Sequence, residues 1–325
     1  PRGNGAGRGP SAMRRALGEK PLDPRQGIGS RAVSRVLLAA LASGALATLG
    51  CARRSPDRTQ VAATVFPLYD ITRRLAEDRL DVHLILTPGL DAHSYEPRPQ
   101  DVAALADSSL IFAVGLGLDG WAQDLARSAG AGEARVFEMG PLMDPILAPQ
   151  GLIRTEPFID AHFWLDPVRA RQAVDVIVEA LGALDPVGGP FYRSRGEELK
   201  RSFQAVHEEI AGRAGRWSRR RIVTFHGSLL YFASRYELDI VGVVEPVPGQ
   251  EPTAQHLAAL VDLLRAPDPA VLFSEPQMDD LLARALAREA EVQAYEVDPM
   301  GGRPETDSYE KLMRQVSAVM DEALR

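Results

Sequence analysis

The chain contains 325 residues, of which 45% are hydrophobic and 25% are charged. These proportions are typical of a soluble globular protein and exclude a disordered chain or a polytopic membrane protein; the length suggests about two domains. The single cysteine excludes a disulfide framework and a multi-cysteine metal site. Residues 1–50 hold eight Lys/Arg and two Asp/Glu, a net +6, so the remaining residues carry −13 and the whole chain −7. An acidic body argues against nucleic-acid binding and suits a small cation.

Residues 1–50 are predicted to be a disordered leader followed by a signal peptide. Arg31 and Arg35 precede an uncharged, mostly apolar run that is too short for a typical membrane span. Cys51 follows this run where a lipoprotein signal has its lipidated cysteine; a plain signal peptide with a chance cysteine is the alternative. Residues 51–59 would then be a tether. We expect a protein of the periplasm or cell surface, anchored to the membrane through lipidated Cys51.

From residue 60 onward, short β-branched or apolar runs alternate with segments of helical spacing. The first predicted strands are Val61–Val65, Leu80–Leu86, Leu110–Val114 and Arg135–Phe137. The helices between and after them are Leu68–Ala76, Val102–Ala106, Trp121–Ala129 and, beyond a Pro-rich loop, Pro167–Leu184. Asp166 precedes a proline at the first helical position, and we expect it to cap that helix.

One long polar helix at 190–215 separates two such alternating halves. Its apolar residues Leu199, Phe203, Val206 and Ile210 recur at helical spacing on one face. The strands predicted beyond it are Arg221–Phe225, Leu238–Val243, Ala270–Phe273 and Val292–Val297. The helices predicted there are Leu229–Arg235, Ala254–Leu264, Asp279–Ala290 and a last helix with an apolar stripe from Tyr309 to Ala323.

Strands separated by helices form parallel sheets. The predicted fold class is therefore α/β, with two lobes that each contain a parallel β-sheet flanked by helices, joined by one long backbone helix. The predicted boundaries are an N-terminal lobe at 60–187, a linking helix at 188–216 and a C-terminal lobe at 217–325.

The six histidines differ in their positions along this pattern. Three of them, His83, His207 and His256, lie within predicted strands or helices, where ordinary packing explains them. His93 and His226 follow strands, His162 lies in the loop before a helix, and Asp298 follows the last strand. Ligands of parallel α/β sheets bind beyond the carboxyl ends of the strands, so a cleft between the lobes would gather three imidazoles and one carboxylate.

Three neutral imidazoles and one carboxylate suit a divalent transition metal. A catalytic zinc site usually has three protein ligands, a bound water and a general base, whereas four protein ligands close the coordination sphere. The pattern therefore favours metal carriage over catalysis. Because ligand imidazoles must be deprotonated, we expect binding to weaken as the pH falls through the imidazole range.

Several local strings occur together in one order: VFPLYDITRRLA, LTPGLDAHSYEPRPQDV, DAHFWLDP, TFHGSLLYF, FSEPQ and EVDPMGG. They resemble the metal-binding solute receptors of bacterial ABC importers for zinc and manganese (cluster A-I type), which are often lipoproteins. The resemblance extends from about residue 60 to the C-terminus. It implies two α/β lobes joined by a rigid backbone helix, and it implies that His93, His162, His226 and Asp298 are the four metal ligands.

The resemblance also bears on the choice of metal. At the position of His226, zinc receptors of this family tend to have His and manganese receptors Glu. A third imidazole makes the site softer and less anionic, which favours Zn²⁺, with Mn²⁺ as the alternative. The sequence departs from many zinc receptors because the stretch 144–160 contains no histidine of the usual His-rich loop.

Neighbouring residues have less specific roles. Glu96 is predicted either to orient an imidazole or simply to begin the next helix, and Glu275 to be a reserve acceptor or a group that orients a ligand. Tyr95, Phe163 and Trp164 are expected to shield the cleft, with ordinary packing as the alternative.

The predicted function is an extracytoplasmic receptor, not an enzyme, that captures Zn²⁺ and delivers it to the membrane subunit of an ABC permease. A monomer with no nucleic-acid partner is expected. The alternatives are a manganese receptor of the same family, a metal-chelate receptor or adhesin-like surface protein, and a secreted metallo-hydrolase with Glu275 as its base.

Overall fold

The structure of the protein is a computed structural model. It describes residues 58–129, 136–148, 158–247, 249–278 and 280–325. The predicted leader, Cys51 and most of the predicted tether lie outside these residues. Within the described ranges, none of the helices combines the length and the apolar character needed to cross a bilayer.

Strands and helices alternate through both halves of the described chain. The strands are β1 (Gln60–Ala63), β2 (Asp81–Leu84), β3 (Ser108–Ala113), β4 (Val136–Glu138), β5 (Leu147–Ala148), β6 (Phe158–Ile159), β7 (Arg221–Thr224), β8 (Asp239–Val243), β9 (Val271–Ser274) and β10 (Ala294–Glu296). The helices are α1 (Phe66–Ala76), α2 (Pro99–Ala106), α3 (Trp121–Ser128), α4 (Pro167–Leu184), α5 (Gly189–Ala214), α6 (Leu230–Tyr236), α7 (Ala254–Arg265), α8 (Asp280–Ala290) and α9 (Tyr309–Leu324).

Two four-stranded sheets form the centres of the two lobes. The first has the strand order β2-β1-β3-β4 and the second the order β10-β9-β7-β8. Every strand pair in both sheets is parallel, because a helix or a longer connection returns the chain between successive strands. The predicted α/β class, with two parallel-sheet lobes and one long helix, is confirmed.

A short antiparallel pair was not expected from the sequence. Leu147 of β5 pairs with Ile159 of β6 across a connection that the sequence indicated only as a Pro-rich loop. Asp160 N continues this pairing by donating to Ile146 O at 3.0 Å. Two-residue strands have no detectable alternation of apolar and polar residues, which is why pattern alone misses them.

The long helix α5 forms where the predicted helix 190–215 was placed. Its predicted apolar face, Leu199, Phe203, Val206 and Ile210, is buried. At Gly196 a Cβ atom would lie 2.8 Å from Val178 Cγ2, so the missing side chain permits α4 and α5 to approach closely. The helix is therefore packed along its length rather than spanning solvent.

A buried ion-pair cluster ties α1 to α5 and α9. The Arg74 guanidinium donates to both carboxylate oxygens of Glu310, at 2.6 and 2.9 Å, and to Asp70 Oδ2 at 3.3 Å. Ser202 Oγ of α5 donates to Glu310, and Tyr309 N at the start of α9 donates to Asp70. These contacts join the first lobe to the last helix of the chain on elements that carry none of the predicted metal ligands.

We expect Phe203→Ala to lower the free energy of unfolding by about 3–5 kcal/mol, because it would leave a cavity in a closely packed interior. The Phe203 ring is fully buried, and its centroid lies 4.3 Å from that of Tyr309. Denaturant unfolding measures the change. Arg201→Ala, at an exposed position of the same helix, should change stability by less than about 0.5 kcal/mol. Equal effects of the two substitutions would contradict the packing assigned to α5.

Candidate metal centre

Three of the four predicted ligands lie together. One ring nitrogen from each of His93, His162 and His226 lies within 4.8 Å of the others. The ring centroids are 5.1–5.5 Å apart. His93 follows β2, His162 follows β6, and His226 lies two residues after β7. The first two precede the long helix and the third follows it, so the cluster joins the two halves of the fold. Three imidazoles this close can share one small cation.

A carboxylate fixes the His162 ring. Nδ1 of His162 lies 2.7 Å from Asp160 Oδ1, and the backbone N–H of His162 donates to the same oxygen at 3.0 Å. Asp160 is fully buried. With Nδ1 held by the carboxylate, Nε2 is the nitrogen left to face the other rings. The role of Asp160 was not predicted from the sequence, although its signal is local: an acidic residue two positions before a candidate ligand.

A second carboxylate fixes the His226 ring. Nδ1 of His226 lies 2.7 Å from Glu275 Oε1, which also accepts a hydrogen bond from Ser228 Oγ at 2.9 Å. Nε2 of His226 is buried and has no hydrogen-bond partner among the described residues. A buried polar atom without a partner is costly, and a cation would satisfy this one. Glu275 follows β9, so it reaches His226 only because β7 and β9 are neighbours in the sheet.

Burial and charge act differently on the two rings. For His162, burial and the neighbouring His226 lower the pKa, so this ring is held neutral. Burial also raises the pKa of Asp160, its partner. For His226, burial opposes the charged form, but the Glu275 carboxylate attracts and hydrogen-bonds to it, and the net pKa is raised. Of these two rings, His226 is the one at which protons compete more strongly with a cation.

The fourth predicted ligand, Asp298, lies outside the group of three within the part of the chain that the structure describes. It follows β10, and its Oδ1 accepts hydrogen bonds from Gln277 Nε2 at 2.7 Å, Met300 N at 2.9 Å and Gly301 N at 3.1 Å. Oδ2 lies 3.8 Å from Arg303 Nε. The Gln277 contact was missed by the sequence analysis, since it links residues 21 positions apart.

The remaining predicted neighbours are partly accounted for. Glu96 is exposed. Asp166 caps α4 through its side chain, which accepts from Val168 N at 2.9 Å, as predicted. The Trp164 ring lies 5.2 Å from that of His162, and Trp164 Nε1 donates to Pro299 O across the cleft at 2.9 Å.

The space between the imidazoles is small. The three rings line a cavity of about 10 Å³, with Glu275 and Gln277 also at its wall. This volume corresponds to one water-sized occupant. The arrangement can therefore hold a bare ion between soft nitrogen ligands, whereas an organic substrate or a metal chelate would require a larger space.

The chain matches known proteins over nearly all of its described length. Residues 61–323 match the family model ZnuA, described as zinc-uptake complex component A, periplasmic. The high-affinity zinc uptake system protein ZnuA of Bacillus subtilis (strain 168) is 25% identical over 265 residues, which are 79% of this chain and 83% of the relative. The manganese ABC transporter substrate-binding lipoprotein PsaA of Streptococcus pneumoniae serotype 4 is 28% identical over 294 residues, which are 87% and 93%.

The fold agrees with these matches. The crystal structure of a zinc-bound ZnuA mutant with residues 138–173 deleted superposes with a TM-score of 0.73 at 24% identity, covering 82% of this chain and 98% of that one. The two-lobed fold and the family match define the class: a metal-binding, substrate-binding protein of ABC transporters for zinc or manganese. The chain belongs to the ZnuA family.

We expect Glu275→Gln to lower the pKa of His226, because it removes the carboxylate charge that most strongly opposes the effect of burial. An NMR titration of the imidazole in the metal-free protein measures this pKa. Glu322→Gln, an exposed position on α9, should leave the His226 pKa unchanged. A His226 pKa that is the same in wild type and Glu275→Gln would show that the carboxylate does not act on this ring.

Proposed function

We propose that this protein is the extracytoplasmic receptor of an ABC importer, which captures Zn²⁺ with His93, His162, His226 and Asp298 and delivers it to the permease. The observation that carries the proposal is the buried, unpartnered Nε2 of His226, which lies in a group of three imidazoles. Zinc would supply the missing partner. The carboxylates of Asp160 and Glu275 would keep the proton on the far nitrogen of two rings, which leaves Nε2 of each free to bind the ion.

The donor set supports zinc over manganese. Three imidazole nitrogens are suited to Zn²⁺, whereas Mn²⁺ competes best where oxygen ligands predominate. Asp298 Oδ1 already accepts three hydrogen bonds, so a bound ion would meet this carboxylate through Oδ2 alone. One oxygen and three nitrogens make the four-coordinate sphere that Zn²⁺ adopts in proteins.

Manganese is the second candidate, and one observation favours it. Glu275 Oε2 is buried without a hydrogen-bond partner among the described residues, and Glu275 lines the cavity between the imidazoles. This oxygen would provide a second hard donor if the carboxylate turned toward the ion. The similarity to a relative named as manganese-binding is consistent with that possibility.

A receptor explains the site better than an enzyme does. Four protein ligands would leave no open coordination position for an activated water. The cavity of about 10 Å³ holds no organic substrate, and this argues equally against a chelate receptor. Release of the ion then requires the two halves of the site to separate, which docking on the permease would bring about.

We expect the purified protein to retain one zinc ion when offered equal free Zn²⁺ and Mn²⁺, as read by native mass spectrometry. His226→Ala should abolish tight binding, because it removes one of three nitrogen ligands. His256→Ala serves as the control: His256 lies on α7, and its Nε2 contacts Val243 O rather than the cluster. If the protein retains one manganese ion instead, the receptor function is still supported, but the choice of zinc is rejected. Zinc affinity unchanged in His226→Ala would reject the ligand assignment.

The membrane anchor is a separate part of the proposal. Cys51 lies outside the described residues, and its lipidation is supported by the apolar run before it and by the relatives that are named lipoproteins. The anchored receptor would act as a monomer at the outer face of the membrane that carries the permease.

We expect Cys51→Ser, expressed in a bacterial host, to lose labelled fatty acid and to move from the membrane to the soluble fraction, because the thioether attachment point is gone. Metabolic labelling and fractionation measure both changes, with wild type as the control. Unlabelled wild type would favour the plain signal peptide.

A further inference from the structure

Helix α6 lies against the segment that carries His162. This segment, residues 160–166, contains Asp160 at its start, His162 and a short turn at Phe163–Leu165, and Asp166 at its end. Helix α6 begins four residues after His226, with only the turn Gly227–Leu229 between them. A contact between α6 and the 160–166 segment therefore joins the two pieces of backbone that carry His162 and His226. One of these pieces precedes the long helix α5 in the chain and the other follows it.

Tyr231 makes the first contact, at the start of the segment. Its hydroxyl donates to Asp160 O at 3.1 Å and accepts from Ile146 N at 3.2 Å. Tyr231 is fully buried, and burial raises its pKa to about 12, so the hydroxyl remains a donor at neutral pH. Tyr231 thus binds the backbone of Asp160, the residue whose side chain holds the His162 ring.

Arg235 makes the second contact, at the end of the segment. Its Nε donates to Asp166 Oδ1 at 2.9 Å and its Nη2 to Asp166 Oδ2 at 2.7 Å, which makes a bidentate pair with a fully buried carboxylate. Tyr231 and Arg235 are four residues apart and so lie on one face of α6. The two ends of the 160–166 segment are thus fixed to one turn of one helix.

We propose that Tyr231 and Arg235 form a tie between the lobes that holds His226 against His162 and thereby sets the rate at which the metal leaves the site. The inference rests on the proposed function. Both are positioning residues, because neither touches the ion. An ion held by both rings is bound tightly only while the rings stay together, so contacts that favour the assembled site slow its dissociation.

The contacts suit this role because breaking them does not strand a buried charge. Without Arg235, Asp166 would still accept from Arg169 at 2.6 Å and from Val168 N. Arg169 also lies over the Tyr231 ring, with its guanidinium carbon 4.9 Å from the centroid, which leaves the local packing supported. A variant at Arg235 is therefore expected to fold, with a weaker contact between α6 and the 160–166 segment.

The fold supplies a matched control in Arg74. Its bidentate pair with Glu310 also joins the first lobe to a later helix, and it is about as exposed as Arg235, at 26% against 31% of the side chain. If Arg74 were replaced, Glu310 would still accept a hydrogen bond from Ser202, and Asp70 would still accept one from Arg73. In the described structure neither Arg74 nor Glu310 hydrogen-bonds to an imidazole or to the 160–166 segment, so the pair supports stability without holding a ligand directly.

The experiment loads the purified protein with zinc, mixes it rapidly with excess EDTA and measures the dissociation rate constant. The variants are Tyr231→Phe, Arg235→Met, the double variant, Arg235→Lys and the control Arg74→Met. Thermal unfolding of each metal-free protein is measured in parallel.

We expect Arg235→Met to raise the zinc dissociation rate constant about tenfold, because the bidentate pair with Asp166 favours the assembled site and a hydrogen bond to a charged group contributes free energy of that order. Tyr231→Phe should raise it less and the double variant more, while Arg235→Lys restores part of the wild-type rate. Arg74→Met should lower the melting temperature about as much as Arg235→Met, yet change the rate less than about twofold, since its pair supports no ligand.

Dissociation rates that are equal in Arg235→Met and Arg74→Met would overturn the tie, even if both variants are less stable than wild type. A wild-type protein that retains neither zinc nor manganese would instead overturn the proposed function, and the tie with it. If wild type retains manganese, the same comparison is made with manganese, and the same equality rejects the tie.

Discussion

The site depends on hydrogen bonds between buried carboxylates and imidazoles. Asp160 holds the His162 ring and Glu275 holds the His226 ring, each through Nδ1 at 2.7 Å. Without these contacts two buried rings would be able to rotate or change tautomer, and either change would remove a nitrogen from the cluster. Because these contacts hold the two rings in place, the Nε2 atom of His226 stays buried without a hydrogen-bond partner and the cavity between the rings stays small.

The same pairs balance the charge of the centre. A divalent ion buried among neutral imidazoles would be costly, because nothing would offset its charge in a medium of low polarisability. The carboxylates hydrogen-bonded to the rings, chiefly Glu275, would supply that offset without occupying coordination positions. They also determine where protons compete: the pKa of His226 is raised by Glu275, whereas burial lowers that of His162.

The architecture limits how the two halves of the site can move. Helix α5 is packed against α4 closely enough that Gly196 has no room for a side chain, so bending at this helix would disrupt a dense interface. The Arg74–Glu310 pair joins the lobes on elements without predicted ligands, and the contacts of α6 join them beside the imidazoles. In our proposal His226 separates from His162 when α6 moves relative to the 160–166 segment, and the contacts of Tyr231 and Arg235 oppose that displacement.

The alternation of strands and helices, the apolar face of α5, the placement of His93 and His226 after strands and that of His162 in the loop before α4 could all be predicted from the sequence, because these features repeat with the period of the backbone or lie within one local motif. Three contacts became visible only in the folded chain: Glu275 meets His226 across 49 positions, Gln277 meets Asp298, and Arg235 meets Asp166 across 69 positions. No period encodes such pairs, since they depend on which strands become neighbours and on how α6 packs against a distant loop. Asp160 is the exception: its contact is local, but an acidic residue near a histidine is too common in sequences to be recognised until the buried geometry singles it out.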